Sequence, residues 1–459
     1  MNPSETSSIR DAVTAVILCA GRLLMVRRQP RLNSFAGFTA FPGGKVDPAD
    51  AEATASALHC QGQETRLMVG LVREAREELG IDLEALAAAG QVQAVHLLGE
   101  ATTPPISPVR FRTHFYRIDL AIEPELEIEL GEIAEASWAS PAEWMARYRD
   151  GRLLLAPPTL DVLLALEAEP EVATIPALDE DNDRSGAVEA LRSIEPLYQL
   201  RQLFVRSNTL PPAQHTNAFL IGDKYKVLVD PSPRDRSELQ RLINWLDVVG
   251  VDEVLITHHH PDHREFANEI AERYDVPLAM SETTRKLLAD SRYGAPGFFG
   301  ELLLRTYDEG DVVTRWLGRP VRVIAVPGHD AGQIALMPDS REWCIVGDLI
   351  QGVGTVVIHK PEGHMGTYFK TLQKVIDLNP AVIIPSHGQA LGTVYRLEET
   401  LKHRRMREQA VLELSGAGKS IDEMLPLIYQ GLDPRLMPLA RANIESHLDK
   451  LVEEGRVAA

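Results

Sequence analysis

The chain has few cysteines, no long apolar run and no excess of basic residues, and each deficit excludes a class of protein. Cys19, Cys60 and Cys344 are far apart and form no C-x-x-C pair, so we expect no disulfide framework. No basic, apolar signal segment opens the sequence and no run of about 18 apolar residues occurs, which predicts a cytoplasmic protein with no membrane partner. The formal net charge of −19 argues against broad nucleic-acid affinity, because such binding depends on Lys and Arg neutralising phosphates.

Length and composition predict several domains. The chain has 459 residues, and a prior of about 150 residues per domain suggests about three. We place these domains at residues 1–167, 195–400 and 401–459. Residues 168–194 are acidic and polar, with the run D-E-D-N-D-R-S-G near their middle, so we expect a mobile, solvated linker there.

The strongest chemical signal is T-H-H-H-P-D-H at residues 257–263. It directly follows residues 251–256, whose Val254, Leu255 and Ile256 suit a buried strand. His258 and His260 lie two apart, so they point the same way in an extended segment. Asp262 and His263 then belong to the turn or to the next helix. Imidazole and carboxylate together suit a metal such as zinc. The alternative is a polar turn whose histidines cap the helix.

Three later apolar segments each end in one further ligand-type residue beside a glycine that permits a tight turn. These residues are His329, Asp348 and His387. The pattern resembles the metallo-β-lactamase superfamily over roughly residues 195–400, which implies an αβ/βα sandwich with a two-zinc site. The implied ligands of one zinc ion are His258, His260 and His329; those of the other are Asp262, His263 and His387, with Asp348 bridging the two.

The same resemblance implies roles near the metals. Asp230 follows an apolar strand at residues 226–229 and matches an aspartate that supports such sites from behind the ligands. Asp262 is the implied catalytic residue. His259 and His215 match no ligand position, and we interpret both as ordinary polar residues. A two-metal centre of this kind performs hydrolysis, whereas its substrate depends on the surrounding loops.

A second signal lies in the first domain, at residues 71–81. Glu74 and Glu78 are four apart and Glu77 is three from Glu74, so the three carboxylates share one helix face. Like charges at this spacing repel one another unless a cation lies between them, and oxygen-only ligands favour magnesium or manganese. The alternative is a solvated acidic face.

The residues around this helix resemble the Nudix box, G-x5-E-x7-R-E-U-x-E-E-x-G-U. Residues 73–81 fit its second half, and F-P-G-G-K-V-D at residues 41–47 looks like the coenzyme A diphosphatase branch. The box is interrupted, because the segment between its halves is longer than the pattern allows and Asp50 replaces the first Glu. The resemblance implies a Nudix α/β/α sandwich in which metal binding falls to Glu74, Glu77 and Glu78, catalysis to Glu77 and Glu78, and cofactor contacts to Gly44 and Arg73.

From about residue 400 the sequence changes to helices. A long amphipathic helix is expected at residues 438–454 and a short strand at 455–457, which is the order of a winged helix. This tail is similar to that of the LACTB-like branch of metallo-β-lactamase proteins, whose characterised members include an endoribonuclease. The basic residues at 404–407 favour nucleic acid as a partner. The balanced charge of residues 401–459 favours a structural role beside the metal domain.

These motifs support three hypotheses for the α/β multidomain chain. In the first it is a bifunctional hydrolase, with a zinc site that cuts an ester, thioester or phosphodiester and a Nudix site that cuts a phosphoanhydride; an acyl-CoA would serve both. In the second RNA is the substrate of the zinc site, as in an endoribonuclease or phosphodiesterase. In the third the Nudix half senses a nucleotide without hydrolysing it. The sequence does not predict the oligomeric state.

Overall fold

A computed structural model describes residues 9–52, 58–104, 110–183, 191–290, 292–293 and 297–458. The chain forms two compact units, one of residues 1–190 with 195–198 and the other of residues 191–194 with 199–459. No described helix has the length and hydropathy needed to cross a bilayer.

The first unit is a mixed sheet with helices on both faces. Its strands are β1 Arg10–Cys19, β2 Arg22–Arg28, β3 Thr39–Ala40, β4 Gly43–Lys45, β5 Val92–Thr102, β6 Phe111–Leu120 and β7 Ile133–Ala139. Its helices are α1 Thr65–Leu79, α2 Leu83–Ala88, α3 Pro141–Arg149, α4 Pro157–Ala168 and α5 Pro176–Asp183, with a 3-10 turn at Pro48–Glu52. The main sheet order is β3-β2-β1-β6-β5, with β4 paired to β1 and β7 to β2.

Strand β1 explains why helices cover both faces of this sheet. Val13, Ala15 and Ile17 pack in one core cluster with the apolar face of α1. Val16 and Leu18, which point the other way because side chains alternate along a strand, pack with α3 and α4. The expected α/β/α sandwich is therefore confirmed.

The segment predicted to be a solvated linker differs from the structure. Within residues 168–194, helix α5 packs against β5, and Ile175 and Leu178 are buried in the core of the first unit. The Ile175 amide also donates to the Leu98 carbonyl, 2.6 Å away. An apolar pair three residues apart thus anchors an otherwise acidic stretch. The rest of the predicted linker includes residues 184–190, which lie outside the described residues.

The second unit contains two sheets and peripheral helices. Strand β8, Ser193–Leu197, precedes these sheets in the chain. The first sheet of the unit contains β9 Leu200–Arg206, β10 His215–Ile221, β11 Val227–Val229, β12 Glu253–Leu255, β13 Leu278–Met280 and β14 Leu304–Thr306, in order β14 to β9. The second contains β15 Val312–Trp316, β16 Arg319–Ala325, β17 Ile334–Pro338, β18 Cys344–Gly347, β19 Val382–Pro385 and β20 Leu391–Gly392, in that order. The helices up to the second sheet's last strand are α6 Arg236–Val249, α7 Pro261–Arg264, α8 Ala267–Tyr274, α9 Glu282–Ala289 and α10 Met365–Leu378.

The parallel pairing of strands in both sheets determines where the predicted ligand residues lie. Strands β11, β12, β13 and β14 pair in parallel, as do β18 and β19, so their carboxyl ends share an edge within each sheet. Loops that carry chemistry gather at such edges. Both faces of β11 and β12 are buried, which requires cover on each side and fits the expected αβ/βα sandwich.

The chain ends in helices α11 Tyr395–Gly416, α12 Ile421–Ile428 and α13 Met437–Glu453, with a 3-10 turn at Pro434–Leu436. Val411, Met424 and Ile444 join them in one small core. The strand predicted at residues 455–457 does not form. Gly455 adopts a left-handed conformation with φ 69°, and the amides of residues 455 and 456 donate to Val452 and Leu451 carbonyls, so they cap α13 instead.

Candidate functional sites

Seven predicted ligand residues follow strand ends in the second unit. His258 and His260 come after β12, and Asp262 and His263 lie in α7, whose first residue, Pro261, suits a helix start. The remaining three residues follow β16, β18 and β19, respectively, and are His329, Asp348 and His387. Sequence spacing therefore predicted how strand ends present these side chains, and the folded chain brings all seven together.

Three histidines converge at one point. The His260 Nδ1 atom lies 3.1 Å from His258 Nε2 and 3.1 Å from His329 Nε2. These atoms form a group whose members lie within 4.8 Å of one another, close enough to hold one metal ion.

A second group lies beside the first. Asp262, His263 and His387 also place ligand atoms within 4.8 Å of one another. The Asp348 carboxylate lies between the two groups: Oδ1 is 3.4 Å from His387 Nε2 and 3.6 Å from His263 Nε2, while Oδ2 is 3.9 Å from His329 Nε2. Asp348 therefore has the position of a bridging carboxylate.

Ligand atoms in this cluster lack other partners. Among the described residues, His263 Nε2, His387 Nε2 and Asp348 Oδ1 are buried without a hydrogen bond. Leaving such groups unpaired costs free energy unless something else binds them. Imidazole nitrogens with carboxylate oxygens form a donor set that suits zinc. The residues present therefore fit a two-metal centre.

The far side of each ring fixes which nitrogen is free. His329 Nδ1 lies 2.8 Å from the Val357 carbonyl and His387 Nδ1 lies 3.0 Å from the His215 carbonyl, so each Nδ1 must donate. His263 Nδ1 lies 2.9 Å from Asp230 Oδ2 and donates to it. When these rings are neutral, the Nε2 atom of each is consequently an unprotonated acceptor that faces the cluster.

Asp230 organises the histidine-rich turn from behind, at the position the sequence predicted. It accepts hydrogen bonds from the Thr257 amide and hydroxyl, both at 2.7 Å, as well as from His263. The Thr257 hydroxyl lies 3.0 Å from His258 Nδ1. Since that hydroxyl donates to Asp230, it accepts from His258 Nδ1, which leaves His258 Nε2 free.

Burial and neighbouring charges set the protonation of the cluster. Burial lowers the pKa values of His258 and His260 well below the ordinary value, so both rings are neutral at pH 7. Burial acts the same way on His263, but the carboxylates of Asp262, Asp348 and Asp230 outweigh it and raise its pKa. A ring flanked by three carboxylates attracts a cation, and a metal ion takes the place of the proton there.

His259 and His215, which match no ligand position, have contacts that their spacing in the sequence did not predict. His259 is buried, its Nδ1 contacts Asp330 Oδ2, and Asp330 Oδ1 accepts from the Gly332 amide at 2.6 Å. Burial and, to a smaller extent, the nearby His387 lower the pKa of His215 to about 4. The His215 carbonyl accepts a hydrogen bond from His387 Nδ1 and so orients that ring. Sequence spacing could not reveal these contacts, because His259 contacts Asp330 in a later loop and His215 contacts His387 through its backbone carbonyl.

The predicted Nudix residues lie in two elements of the first unit: Gly44 in β4, and Arg73 and the three glutamates in α1. Arg73 Nη1 contacts both Glu74 Oε1 and Glu77 Oε2 at 2.9 Å, and Arg73 also forms two bonds to Asp50 at 3.0 Å. Asp50, which replaces the first Glu of the box, is buried and thereby fixes Arg73. Arg73 in turn orients the two glutamates.

The backbone at residues 43–44 approaches the same carboxylates. Glu78 Oε2 accepts from the Gly43 amide at 2.9 Å. A Cβ atom at Gly44 would lie 2.5 Å from the Glu74 carboxylate, so a larger residue there would displace that side chain. Burial raises the pKa of Glu78 to about 8. Among the described residues, the groups of three ligand atoms within 4.8 Å include none of Glu74, Glu77 and Glu78, so this part of the prediction stays a prediction.

Comparison with known families gives three matches along the chain. The family described as "NUDIX domain" matches residues 8–156. The "Metallo-beta-lactamase superfamily" matches residues 211–387, which include all seven residues of the clustered site. The "Beta-lactamase associated winged helix domain" matches residues 420–459.

Several individual proteins are similar to parts of the chain. Beta-lactamase-like protein 2 homolog of Drosophila melanogaster is 27% identical over 260 residues, which are 53% of this chain and 84% of that protein. Its namesake in Caenorhabditis elegans is 27% identical over 283 residues, covering 58% of this chain and 90% of that protein. Hydroxyacylglutathione hydrolase GloC of Haemophilus influenzae is 26% identical over 184 residues, covering 38% and 85%.

The matched families agree with the folds and motifs described above. The Nudix box lies in a sheet with helices on both faces, and the His/Asp cluster lies at the strand ends of a two-sheet unit. Both families are hydrolases. The family models thus show three domains in one chain, a NUDIX domain, a metallo-β-lactamase-superfamily domain and a beta-lactamase-associated winged helix domain.

Proposed function

We propose that the chain is a bifunctional hydrolase whose second unit is a two-zinc enzyme acting on an ester, thioester or phosphodiester. The observation that carries the proposal is the convergence of unpartnered, buried ligand atoms from His263, His387 and Asp348 beside the three-histidine group. Zinc, when bound, supplies a Lewis acid for the substrate oxygen and lowers the pKa of water near neutrality.

The chain's own residues do the rest of the work at this site. His258, His260 and His329 would hold one zinc ion. Asp262, His263 and His387 would hold the other. Asp348 spans both groups and would keep them at a fixed separation. The Asp262 carboxylate is the least buried member of its group, with 18% of its side chain exposed, so it is placed to accept a proton from attacking water and pass it to the leaving group.

For the first unit we propose a magnesium- or manganese-dependent diphosphatase. The buried Glu78 and the glutamates held by Arg73 supply the oxygen ligands that such ions prefer beside a diphosphate. Glu77 and Glu78 would bind the metal and position the attacking water. Magnesium in such sites is held by one or two carboxylates together with the phosphate oxygens of the substrate. The α1 glutamates, which form no group of three clustered ligand atoms among the described residues, are consistent with this arrangement.

Derivatives of coenzyme A are the substrate class that we propose for both sites. An acyl-CoA carries a thioester for the zinc site and a diphosphate for the Nudix site. The similarity to a protein named hydroxyacylglutathione hydrolase supports thioester chemistry at the zinc site. Three free cysteines support the cytoplasmic location that we predict.

The test is a substrate panel on three variants and wild type. Acyl-CoA, free CoA, bis(p-nitrophenyl) phosphate and a short RNA are incubated with wild type, His260→Ala, Glu78→Gln and the control His403→Ala, which alters an exposed histidine of α11. We expect thioester cleavage to be lost only in His260→Ala and diphosphate cleavage only in Glu78→Gln. RNA or phosphodiester cleavage lost only in His260→Ala would replace the CoA proposal with a nuclease. Tight nucleotide binding without product would make the Nudix half a sensor.

No described contact favours RNA. Arg404, the first basic residue of the cluster at 404–407, is buried with 3% of its surface exposed and bonds to protein groups, so it cannot contact a phosphate backbone. Arg407 lies over the Tyr429 ring. Two of the three arginines of the cluster therefore contact protein groups, whereas Arg405 is exposed.

A further inference from the structure

The helices after the metal domain contact a short segment that supports the candidate metal centre. Residues 356–358, here called the support segment, lie between β18 and α10. The carbonyl of its central residue, Val357, accepts from His329 Nδ1 at 2.8 Å. This contact fixes the tautomer of His329 and the direction of its Nε2 atom.

The support segment is held on both sides of Val357. Arg404 of α11 donates from Nη2 to the Val356 carbonyl, and Asn443 Oδ1 of α13 accepts from the Ile358 amide at 3.2 Å. Arg404 Nη1 also donates to Asn443 Oδ1 at 3.0 Å, so the two side chains form one unit. Both are buried, with 3% and 4% of their surfaces exposed. Burying a guanidinium and an amide costs free energy unless hydrogen bonds compensate for the lost water contacts. Here those hydrogen bonds go to the support segment and hold its backbone in place.

A second route leads from Arg404 to the bridging carboxylate. The Arg404 guanidinium lies over the Tyr368 ring, 5.6 Å from its centroid. The Tyr368 hydroxyl donates to the Leu349 carbonyl at 2.8 Å, and Leu349 directly follows Asp348. Cation–π contacts of a buried arginine are favourable and orient the ring.

We propose that Arg404 and Asn443 are positioning residues of the metal centre, so that the C-terminal helices complete the metallo-β-lactamase site rather than bind a separate partner. The two residues fix the support segment, the segment fixes His329, and His329 then presents Nε2 to the three-histidine group. Hydrogen-bond partners behind metal ligands have this effect in other proteins, and their loss costs about 10- to 100-fold in metal affinity. The inference rests on the proposed zinc centre.

The experiment measures zinc binding by competition with a chromophoric chelator, using the full chain stripped of metal. The variant Asn443→Ala removes the acceptor for the Ile358 amide and Arg404, whereas Asn443→Asp keeps an oxygen at the same place. Arg405→Ala, which changes the exposed neighbour of Arg404, is the matched control. We expect wild type, Asn443→Asp and Arg405→Ala to bind two zinc ions alike. Asn443→Ala should bind one of the two about 10- to 100-fold more weakly.

A double-mutant cycle with His329→Ala separates positioning from a general structural role. If Asn443 acts through His329, then Asn443→Ala has no further effect on zinc affinity in the His329→Ala background. If Asn443→Ala does not fold, Asn443→Leu carries the same test, since it removes the acceptor for the Ile358 amide while filling a similar volume.

Two zinc ions bound to Asn443→Ala as tightly as to wild type would overturn the inference alone. An equal loss in the presence and absence of His329 would do the same, because it would assign Asn443 a general structural role. A wild-type chain that binds no zinc would overturn the metal centre and, with it, the inference.

Discussion

Asp230 shows at the scale of a single residue how the candidate zinc centre is organised. Its two carboxylate oxygens receive a backbone amide, a hydroxyl and an imidazole, and through Thr257 and His263 they orient ligands of both groups. Its own backbone adopts a left-handed conformation with φ 48°, which only a few residue types tolerate. The turn after β11 thus pays a conformational cost to place one carboxylate.

Replacing Asp230 with asparagine should weaken metal binding. The amide group cannot accept hydrogen bonds from Thr257 and His263 at both positions, so the His263 tautomer is no longer fixed. We expect about a 10- to 100-fold loss of zinc affinity, measured by chelator competition. Asp247→Asn, a change in an exposed ion pair with Arg273, serves as the control and should leave zinc affinity unchanged. Equal affinities for wild type and Asp230→Asn would contradict this role.

Arg73 plays a comparable part in the first unit, where it holds the buried Asp50. Arg73→Met would leave that carboxylate buried without its charged partner, so we expect the first unit to lose about 3 kcal/mol of stability. Hydrogen exchange of α1 and β1 measures the loss. Arg76→Met, a change on the same helix as Arg73, breaks only an exposed pair with Asp82 and should cost less than about 0.5 kcal/mol. A similar effect of both substitutions would refute the structural role of the Asp50–Arg73 pair.

The candidate ligands could be located from the sequence because each lies within a few residues of an apolar strand. His258 and His260 share a strand end, and His329, Asp348 and His387 each follow one. Their supports were harder to predict. Val357 and His215 act through carbonyl oxygens, which every residue has, so no side-chain pattern marks them.

At the scale of elements, α11 and α13 are joined by a buried ion cluster. Glu408 of α11 contacts Lys450 at 2.9 Å, Arg456 at 3.2 Å and His447 at 3.6 Å. Burial acts to raise the pKa of Glu408, but His447 and Lys450 outweigh it and lower the pKa from an ordinary 4.5 to about 2. A carboxyl whose pKa falls on folding stabilises the folded state only while it is ionised.

The pH dependence of stability follows from that sign. The contribution of Glu408 is complete above pH 4.5 and disappears as the pH falls through about 2. Glu408→Gln should therefore destabilise the C-terminal helices by about 2 kcal/mol at pH 7 and by progressively less towards pH 2. Thermal unfolding of metal-stripped wild type and variant across this range measures the difference, with the exposed Glu413→Gln of the same helix as control. A difference that stays constant with pH would exclude the ion cluster as its source.

Two structural predictions, the solvated linker at residues 168–194 and the strand at residues 455–457, differ from the structure because of a few residues with a weak sequence signal. Ile175 and Leu178 lie three apart in an acidic stretch, and both are buried in the core of the first unit. Gly455 ends α13 in a left-handed turn, which commits the next amides to the helix end and prevents a strand. In both places a local detail outweighs average composition.

At the scale of the whole molecule, the chain contains two candidate hydrolytic sites with different metal preferences. Carboxylates on α1 suit a hard ion beside phosphate, whereas histidines at the strand ends suit zinc. Each site lies within its own compact unit, and each match to a known family ends before the next begins. The fusion itself was predictable from motifs, because each motif lies within one unit. The substrates depend on loops that motifs do not describe.

The most direct test of the zinc centre is anomalous X-ray diffraction at the zinc edge from crystals of the full chain grown with zinc. We predict two peaks, one among His258, His260 and His329 and one among Asp262, His263 and His387, with Asp348 between them. Crystals of His260→Ala should lose the first peak. No peak at these residues, or a peak only at the neighbouring group of His259, His260 and Asp330, would contradict the account.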